Sequence, residues 1–168
     1  VNSSLGILAM VGMAVMMTHS GMTNLLAQGL SLAFGGVYPL VSPFIGALGA
    51  FITGSNNNSN VLFAVLQMES AKLLGVSVPL ILGGQTAGGS LGSIMAPAKV
   101  IVGCSTVGLS SEEGRVVGKV IAYGMLPVAV VALAVGNRGR LEQQVLRWGD
   151  RSRSRIVPAA VEQVEHQF

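Results

Sequence analysis

FITGSNNNSN, residues 51–60, contains a run of small, uncharged polar residues inside a long apolar sequence. Mostly apolar residues flank this run, from Phe44 to Ile52 before it and from Val61 to Leu66 after it. Backbone N–H and C=O groups cannot be left bare to lipid at membrane depth. Because Ser and Asn side chains supply substitute donors and acceptors and also cap helices, the run predicts a helix that stops, turns through a polar tip and starts again.

The same residues also suit an ordinary solvent-exposed turn between two membrane spans, since Gly, Ser and Asn runs are common turn signals. Discontinuous helices, by contrast, form the binding sites of many secondary transporters near the middle of the membrane. The run alone leaves both interpretations open.

The composition is that of an integral membrane protein. Of the 168 residues, 51% are hydrophobic and 10% are charged, whereas a soluble domain is about 25% charged. Residues 1–68 contain no Asp, Glu, Lys or Arg, and up to Ser111 the charged residues are Glu69, Lys72 and Lys99. We therefore expect an all-α, polytopic chain of transmembrane helices with the lipid bilayer around it.

A second apolar segment, residues 79–108, is interrupted in the same way. Its middle, residues 83–93, reads GGQTAGGSLGS, and Pro97 follows shortly after. Short hydrophobic segments interrupted by Gly or Pro are typical of transporter sites, so we predict a second broken or re-entrant helix. Gly84, Gly88 and Gly92 also have the four-residue spacing that lets helices pack closely, so a packing role for these glycines competes with a binding role.

The chain changes character at its end, where arginines accumulate after Gly136. We divide it into a transmembrane carrier segment, residues 1–136, and a basic polar tail, residues 137–168. Excess Arg beside a span predicts a cytoplasmic side, and residues 150–168 are expected to be disordered or loosely attached. Because the sequence opens on Val1 and enters apolar sequence almost at once, we expect a fragment of a larger carrier that works with a missing N-terminal part.

A site for an anion can be built here without charged side chains. Helix N-termini carry partial positive charge that favours a carboxylate, and hydroxyls and amides add directional hydrogen bonds. Such a site suits a small, hydroxylated organic anion. The predicted substrate-binding residues are Thr53, Ser55, Asn56, Ser59 and Asn60 at the first interruption, and Gln85, Thr86 and Ser90 at the second.

Two residues are candidates for proton coupling. His19 carries an imidazole, the side chain that proteins use most often to accept and release a proton, and Glu69 is an acidic residue close to apolar sequence. The alternatives are a hydrogen-bonded structural role for His19, and for Glu69 either a pair with Lys72 on the same helix face or a place at the membrane edge. Lys99 suits a substrate carboxylate or the membrane interface.

Other functional classes lack support in the sequence. It has no HExxH or GxSxG motif, no phosphate-binding loop and no Cys/His metal cluster, so we predict no enzyme activity, no catalytic residue, no metal and no cofactor. Outside the tail there is no basic patch with interleaved aromatic residues, so no nucleic-acid partner is expected.

The two interrupted segments resemble the lactate permease family of bacterial inner-membrane carriers, and the similarity runs from Gly6 to Val135. The residues that carry it are Ser20-Gly21-Met22-Thr23, Pro43-Phe44-Ile45-Gly46, Thr53-Gly54-Ser55, Ser59-Asn60, Leu62-Phe63, Leu66-Gln67, Gly88-Gly89, Gly92, Pro97, Gly103, Gly108 and Glu113-Gly114. The chain departs from the family pattern at Gln85, where Asn is usual, and at Ser93, where Lys is usual.

The resemblance implies secondary active transport of a small monocarboxylate, lactate or glycolate, by proton symport across the plasma membrane, which in bacteria is the inner membrane. It also implies a multi-pass carrier longer than these residues. The alternatives are a non-transporting membrane scaffold, an inactive divergent permease, or an intramembrane enzyme whose reactive groups come from elsewhere.

Overall fold

The computed structural model describes residues 2–109 and 111–165, and within these ranges it contains seven α-helices and no strand. The helices are α1 Asn2–His19, α2 Met22–Phe34, α3 Tyr38–Thr53, α4 Asn56–Leu74, α5 Val78–Ile94, α6 Pro97–Thr106 and α7 Glu113–Glu165. A 3₁₀ turn, Gly35–Val37, joins α2 to α3. The predicted all-α class is confirmed.

Three helical stretches in the described part of the chain are long and apolar enough to cross a membrane. They are Met22–Thr53, Val78–Thr106 and Glu113–Val145. The first combines α2 and α3, the second combines α5 and α6, and the third lies within α7. Together with the sparse charge of the sequence, they make this a membrane protein.

The first predicted helix break is present, and glycine conformation explains it. Helix α3 ends at Gly54, which adopts the left-handed region with φ of 71°. Residues with a side chain rarely adopt this conformation, so glycine is the usual residue at such a helix end. Ser55 then takes an extended conformation, and α4 begins at Asn56. The turn is shorter than expected, because most of the polar run forms the first turns of α4.

The second predicted break, at residues 83–93, is wrong. Helix α5 runs without interruption from Val78 to Ile94, and the break falls at Met95 and Ala96. Close packing of α5 against α3 offsets the poor helix propensity of its glycines. The helix stops instead before Pro97, which has no N–H and disfavours helical backbone in the residue before it.

Helices α3 and α5 form the centre of the structure, and glycines allow their backbones to touch. A Cβ added at Gly88 would overlap the carbonyl of Pro43, and a Cβ at Gly92 would overlap that of Ala47. The four-residue glycine spacing thus serves packing within this chain. Around this pair, α4 packs on both helices, α7 packs on both from another side, and α1 and α2 pack on α4.

The buried core is small, and large apolar surfaces remain on the outer helices. One cluster contains Tyr38, Ala71, Val76 and Ile81, and another contains Ala47, Met95 and Val128. Leu126 and Val130 of α7, by contrast, are 65% and 66% exposed. Outward apolar faces of this kind suit contact with lipid chains.

Helix α7 continues well past the point where the composition becomes basic. The predicted boundary between residues 136 and 137 lies inside this helix, with no interruption of the backbone there. Residues 150–165 are helical, so the expected disorder is not found in them. Residues 166–168 lie outside the described ranges.

Candidate functional site

The side chains at the first break mainly stabilise the break itself. The hydroxyl of Thr53 lies 2.8 Å from the carbonyl oxygen of Gly49 and 3.0 Å from that of Ser55. The hydroxyl of Ser55 accepts from the backbone N–H of Asn58 at 3.4 Å, which caps the start of α4. These two predicted site residues therefore satisfy local backbone groups that the helix ends leave unpaired.

A buried hydrogen-bond network joins α3, α4 and α5. The hydroxyl of Tyr38 donates to Oε1 of Gln67 at 2.8 Å, and Nε2 of Gln67 donates to Oε1 of Gln85 at 2.9 Å. Nε2 of Gln85 donates to the hydroxyl of Ser59 at 3.1 Å, which donates to the carbonyl oxygen of Gly46 at 2.9 Å. The four side chains in this network are fully buried.

Two predicted site residues, Ser59 and Gln85, belong to this network, and their partners are protein groups. The network also contains two residues that the sequence analysis did not select, Tyr38 and Gln67. A signal was available for Gln67, which interrupts the apolar run of α4. Its partners could not be identified, because they lie 18 and 29 positions away along the chain.

A second polar cluster lies on the exposed face of α5 and connects the two breaks. Nδ2 of Asn56 donates to the hydroxyl of Ser90 at 2.9 Å, and that hydroxyl donates to the carbonyl oxygen of Thr86 at 2.9 Å. The hydroxyl of Ser93 donates to the carbonyl oxygen of Ser90 at 3.3 Å. Nζ of Lys99 completes the cluster by donating to the hydroxyl of Ser93 at 3.2 Å. We call these five residues the α5 polar cluster.

The α5 polar cluster brings together three predicted site residues, Asn56, Thr86 and Ser90, and adds Ser93 and Lys99. Thr86, Ser90 and Lys99 are exposed. Asn60 lies one turn after Asn56 on α4, and the amide oxygens of both residues are buried without a hydrogen-bond partner among the described residues. Unpaired buried acceptors are uncommon in folded proteins.

Lys99 gives this cluster its charge. It is the one charged residue of Val78–Thr106, a stretch that is long and apolar enough to cross a membrane. Upstream of it, Glu69 and Lys72 form an ion pair at 3.0 Å, as one of the two alternatives for Glu69 predicted. Within the side chains that the structure describes, no ion pair involves Lys99.

The two proton-coupling candidates lie outside the α5 polar cluster. His19 is exposed at the end of α1, and Glu69 lies near the end of α4, beside Lys72. No group of three or more His, Cys, Asp or Glu residues capable of holding a metal ion is found in the described ranges.

Comparison with known proteins identifies the family of this chain. The model of the family described as L-lactate permease matches residues 1–137, which include both helix breaks and the α5 polar cluster. The chain belongs to the L-lactate permease family. The resemblance seen in the sequence is thereby confirmed.

Curated relatives agree with this assignment. The L-lactate permease of Escherichia coli K12 is 33% identical over 135 residues, 80% of this chain and 24% of the relative. The glycolate permease of the same strain is 35% identical over 121 residues, 71% of this chain and 21% of the relative. The L-lactate permease of Bacillus subtilis 168 is 31% identical over 144 residues, 86% of this chain and 25% of the relative.

The chain thus spans about a quarter of the length of the curated relatives it matches. No solved structure matches it significantly.

Proposed function

We propose that this chain forms substrate-binding elements of a secondary carrier for small 2-hydroxy monocarboxylates, L-lactate or glycolate. Two lines of support exist: membership of the L-lactate permease family, with lactate and glycolate permeases among its relatives, and the chemistry of the α5 polar cluster.

The observation that carries the proposal is an uncovered polar face with one cation on a membrane-spanning stretch. Thr86, Ser90 and Lys99 are exposed on Val78–Thr106. Polar and charged groups at membrane depth are costly against lipid, so they face the interior of the helix bundle or a water-filled path. Such a path is where a carrier admits its substrate.

Lys99 has the charge that a monocarboxylate requires. Its ammonium group already donates to the hydroxyl of Ser93 at 3.2 Å, and a lysine ammonium has three donors. The remaining donors are suited to a carboxylate oxygen. Because a charge-assisted hydrogen bond is about twice as strong as a neutral one, Lys99 is the proposed anchor of the carboxylate.

The two helix breaks are the proposed points of movement. The α-helices are interrupted at Gly54 and Ser55 and again at Met95 and Ala96, and hinges are formed by a few residues at the ends of such elements. Alternating access around the α5 polar cluster would use both breaks. Entry of a proton with the anion would offset its charge, with His19 and Glu69 as the two candidates for the coupling residue.

The proposed location is the plasma membrane, the inner membrane of a bacterium. Six arginines lie between residues 138 and 155, against two acidic residues in the same stretch. Under the positive-inside rule, this end of the chain lies on the cytoplasmic side.

Uptake of labelled L-lactate and glycolate tests the proposal. The complete reading frame that contains these residues is expressed in cells that lack their own lactate carriers, with an empty vector as control. Uptake above the control that collapses with a protonophore is the expected result. If neither acid is taken up while the protein is present in the membrane, the carrier proposal is overturned in favour of an inactive relative or a scaffold.

A further inference from the structure

We infer that the side-chain amide oxygen of Asn56 accepts a hydrogen bond from the 2-hydroxyl of the transported acid, and so selects 2-hydroxy acids over analogues that lack the hydroxyl. The inference rests on the proposed function and extends it by assigning the recognition of one substrate group to one atom.

The Asn56 amide and the Ser90 hydroxyl are joined by a hydrogen bond. A serine hydroxyl has a single hydrogen to donate, and that of Ser90 is directed to the carbonyl oxygen of Thr86 at 2.9 Å. In the structure, the NH₂ group of Asn56 faces Ser90 and donates to its hydroxyl at 2.9 Å. The amide oxygen of Asn56 consequently points away from Ser90.

That oxygen is buried and receives no hydrogen bond from the described residues. It lies against Gly89, where an added Cβ would overlap it. The same Cβ position is 3.5 Å from the carbonyl oxygen of Gly46, which accepts from Ser59. The Asn56 oxygen thus has no hydrogen-bond donor among the described residues. An unpaired buried acceptor is unfavourable, so a ligand that brings a donor is favoured there.

The acids named in the related permeases indicate which ligand group donates to the Asn56 oxygen. L-lactate and glycolate, named in those relatives, share a carboxylate and a 2-hydroxyl. A carboxylate only accepts hydrogen bonds, so it cannot pair with the Asn56 oxygen, whereas a hydroxyl can donate to it. Hydrogen bonds through Ser90 and Ser93 connect Asn56 to Lys99, so the cluster offers a donor for the carboxylate at one end and an acceptor for the hydroxyl at the other.

The carrier distinguishes hydroxy acids from analogues without the hydroxyl, because such an analogue leaves the Asn56 oxygen unpaired. A site that hydrogen-bonds a substrate hydroxyl rejects the analogue without it, because the buried polar group then stays without a partner. Propionate is L-lactate without the hydroxyl, and acetate is glycolate without it. The carrier should therefore bind each hydroxy acid more tightly than its analogue, by roughly ten- to a hundredfold for one such hydrogen bond.

The experiment measures affinities for these two pairs of acids. Inhibition of labelled L-lactate uptake by each acid is compared among the wild type, Asn56→Ala and the matched control Asn57→Ala, which replaces an exposed Asn in the same helical turn. In Asn56→Ala, we expect the inhibition constants of the hydroxy acid and its analogue to differ by less than about threefold in each pair. In Asn57→Ala, we expect the wild-type difference to remain. Protein in the membrane is quantified for each variant.

A second readout covers variants that no longer transport. Stabilisation of the purified, full-length protein against heat by L-lactate or by propionate reports binding directly. If Asn56→Ala does not reach the membrane, Ser90→Ala takes its place, because Ser90 is exposed and its loss frees the amide to rotate. Partial loss of the preference for L-lactate is then expected.

The outcomes separate this inference from the proposed function. A wild-type carrier that transports L-lactate, with Asn56→Ala weakening L-lactate and propionate equally or changing neither, overturns the assignment of the hydroxyl and leaves transport standing. A wild-type protein that neither transports nor binds any of the hydroxy acids overturns both.

Discussion

Nε2 of Gln67 donates to Oε1 of Gln85 at 2.9 Å, and this bond joins α4 to α5 inside the structure. Both side chains are fully buried. Gln67 also accepts from Tyr38 at 2.8 Å and donates to the carbonyl oxygen of Ser42 at 3.2 Å. Since buried networks with satisfied members make a core rigid, we regard this pair as a connection that holds α4 against α5.

Replacing Gln67 with Leu should lower the stability of the protein substantially. The change leaves the hydroxyl of Tyr38 and the amide oxygen of Gln85 without their present partners, at about 1–3 kcal/mol for each unpaired buried group. Thermal unfolding in detergent measures the effect. The control is Gln28→Leu, which removes an exposed Gln bonded within its own helix and should change stability by at most about 0.5 kcal/mol. Equal melting temperatures for the two variants would contradict the role assigned to the network.

Gly88→Ala should prevent correct packing of α3 against α5. The added Cβ would overlap the backbone carbonyl of Pro43, and backbone cannot move aside as a flexible side chain can. We expect a loss of about 1–3 kcal/mol or more from overpacking, seen as reduced folded protein in a fluorescence-detected size-exclusion profile. Gly83→Ala is the matched control, because Gly83 lies in the same helix with nothing within 4 Å of its Cβ position. If Gly83→Ala were as harmful as Gly88→Ala, helix propensity or insertion would be the cause.

Lys99→Gln should weaken substrate binding more than it weakens folding. The variant keeps a donor for Ser93 but removes the charge proposed to hold the carboxylate. Loss of a charge-assisted hydrogen bond costs about 1.5–3 kcal/mol, which corresponds to a rise in the KM for L-lactate of roughly ten- to a hundredfold.

The control for this prediction is Lys72→Gln. Lys72 is also an exposed lysine, but it is paired with Glu69 at 3.0 Å, and an exposed pair of this kind contributes about 0–1 kcal/mol. Its KM should stay near that of the wild type. The measurement is uptake kinetics at equal levels of each variant in the membrane. An unchanged KM for Lys99→Gln would show that Lys99 does not bind the substrate.

Of the two proton-coupling candidates, His19→Gln should have the larger effect on coupling. The carboxylate of Glu69 already forms an ion pair with Lys72, whereas His19 is exposed at the end of α1. We expect His19→Gln to abolish accumulation of L-lactate driven by an imposed pH gradient while exchange of internal for external L-lactate continues. Glu69→Gln should retain both activities. The opposite pattern would transfer the coupling role to Glu69, and full accumulation in both variants would exclude both residues.

The first helix break was predictable from the polar run at residues 51–60. Gly54 ends α3 there with a positive φ, and the conformational freedom of glycine is a local property of the chain. The interruption expected at residues 83–93 was wrong for the opposite reason. Those glycines remain helical because α3 packs against them, and a glycine that ends a helix looks the same in sequence as one that allows close packing.

The arrangement of the candidate site residues could not be predicted from the sequence. Asn56, Thr86 and Ser90 lie together in the α5 polar cluster, while Ser59 and Gln85 form hydrogen bonds in the buried network. Which polar residues point inward depends on the rotation of each helix against its neighbours. Tyr38 and Gln67 were not selected for the same reason.

The sequence by itself determined the family, the helical class and the membrane environment, because hydrophobic length, sparse charge and the order of short motifs are properties of the linear chain. Tertiary structure alone decided the division of polar residues between a buried network and an exposed cluster, and it placed Lys99 beside Ser93. Hydrogen bonds between residues far apart in sequence form only when packing brings their helices together, and here the packing of α4 against α3 and α5 does so.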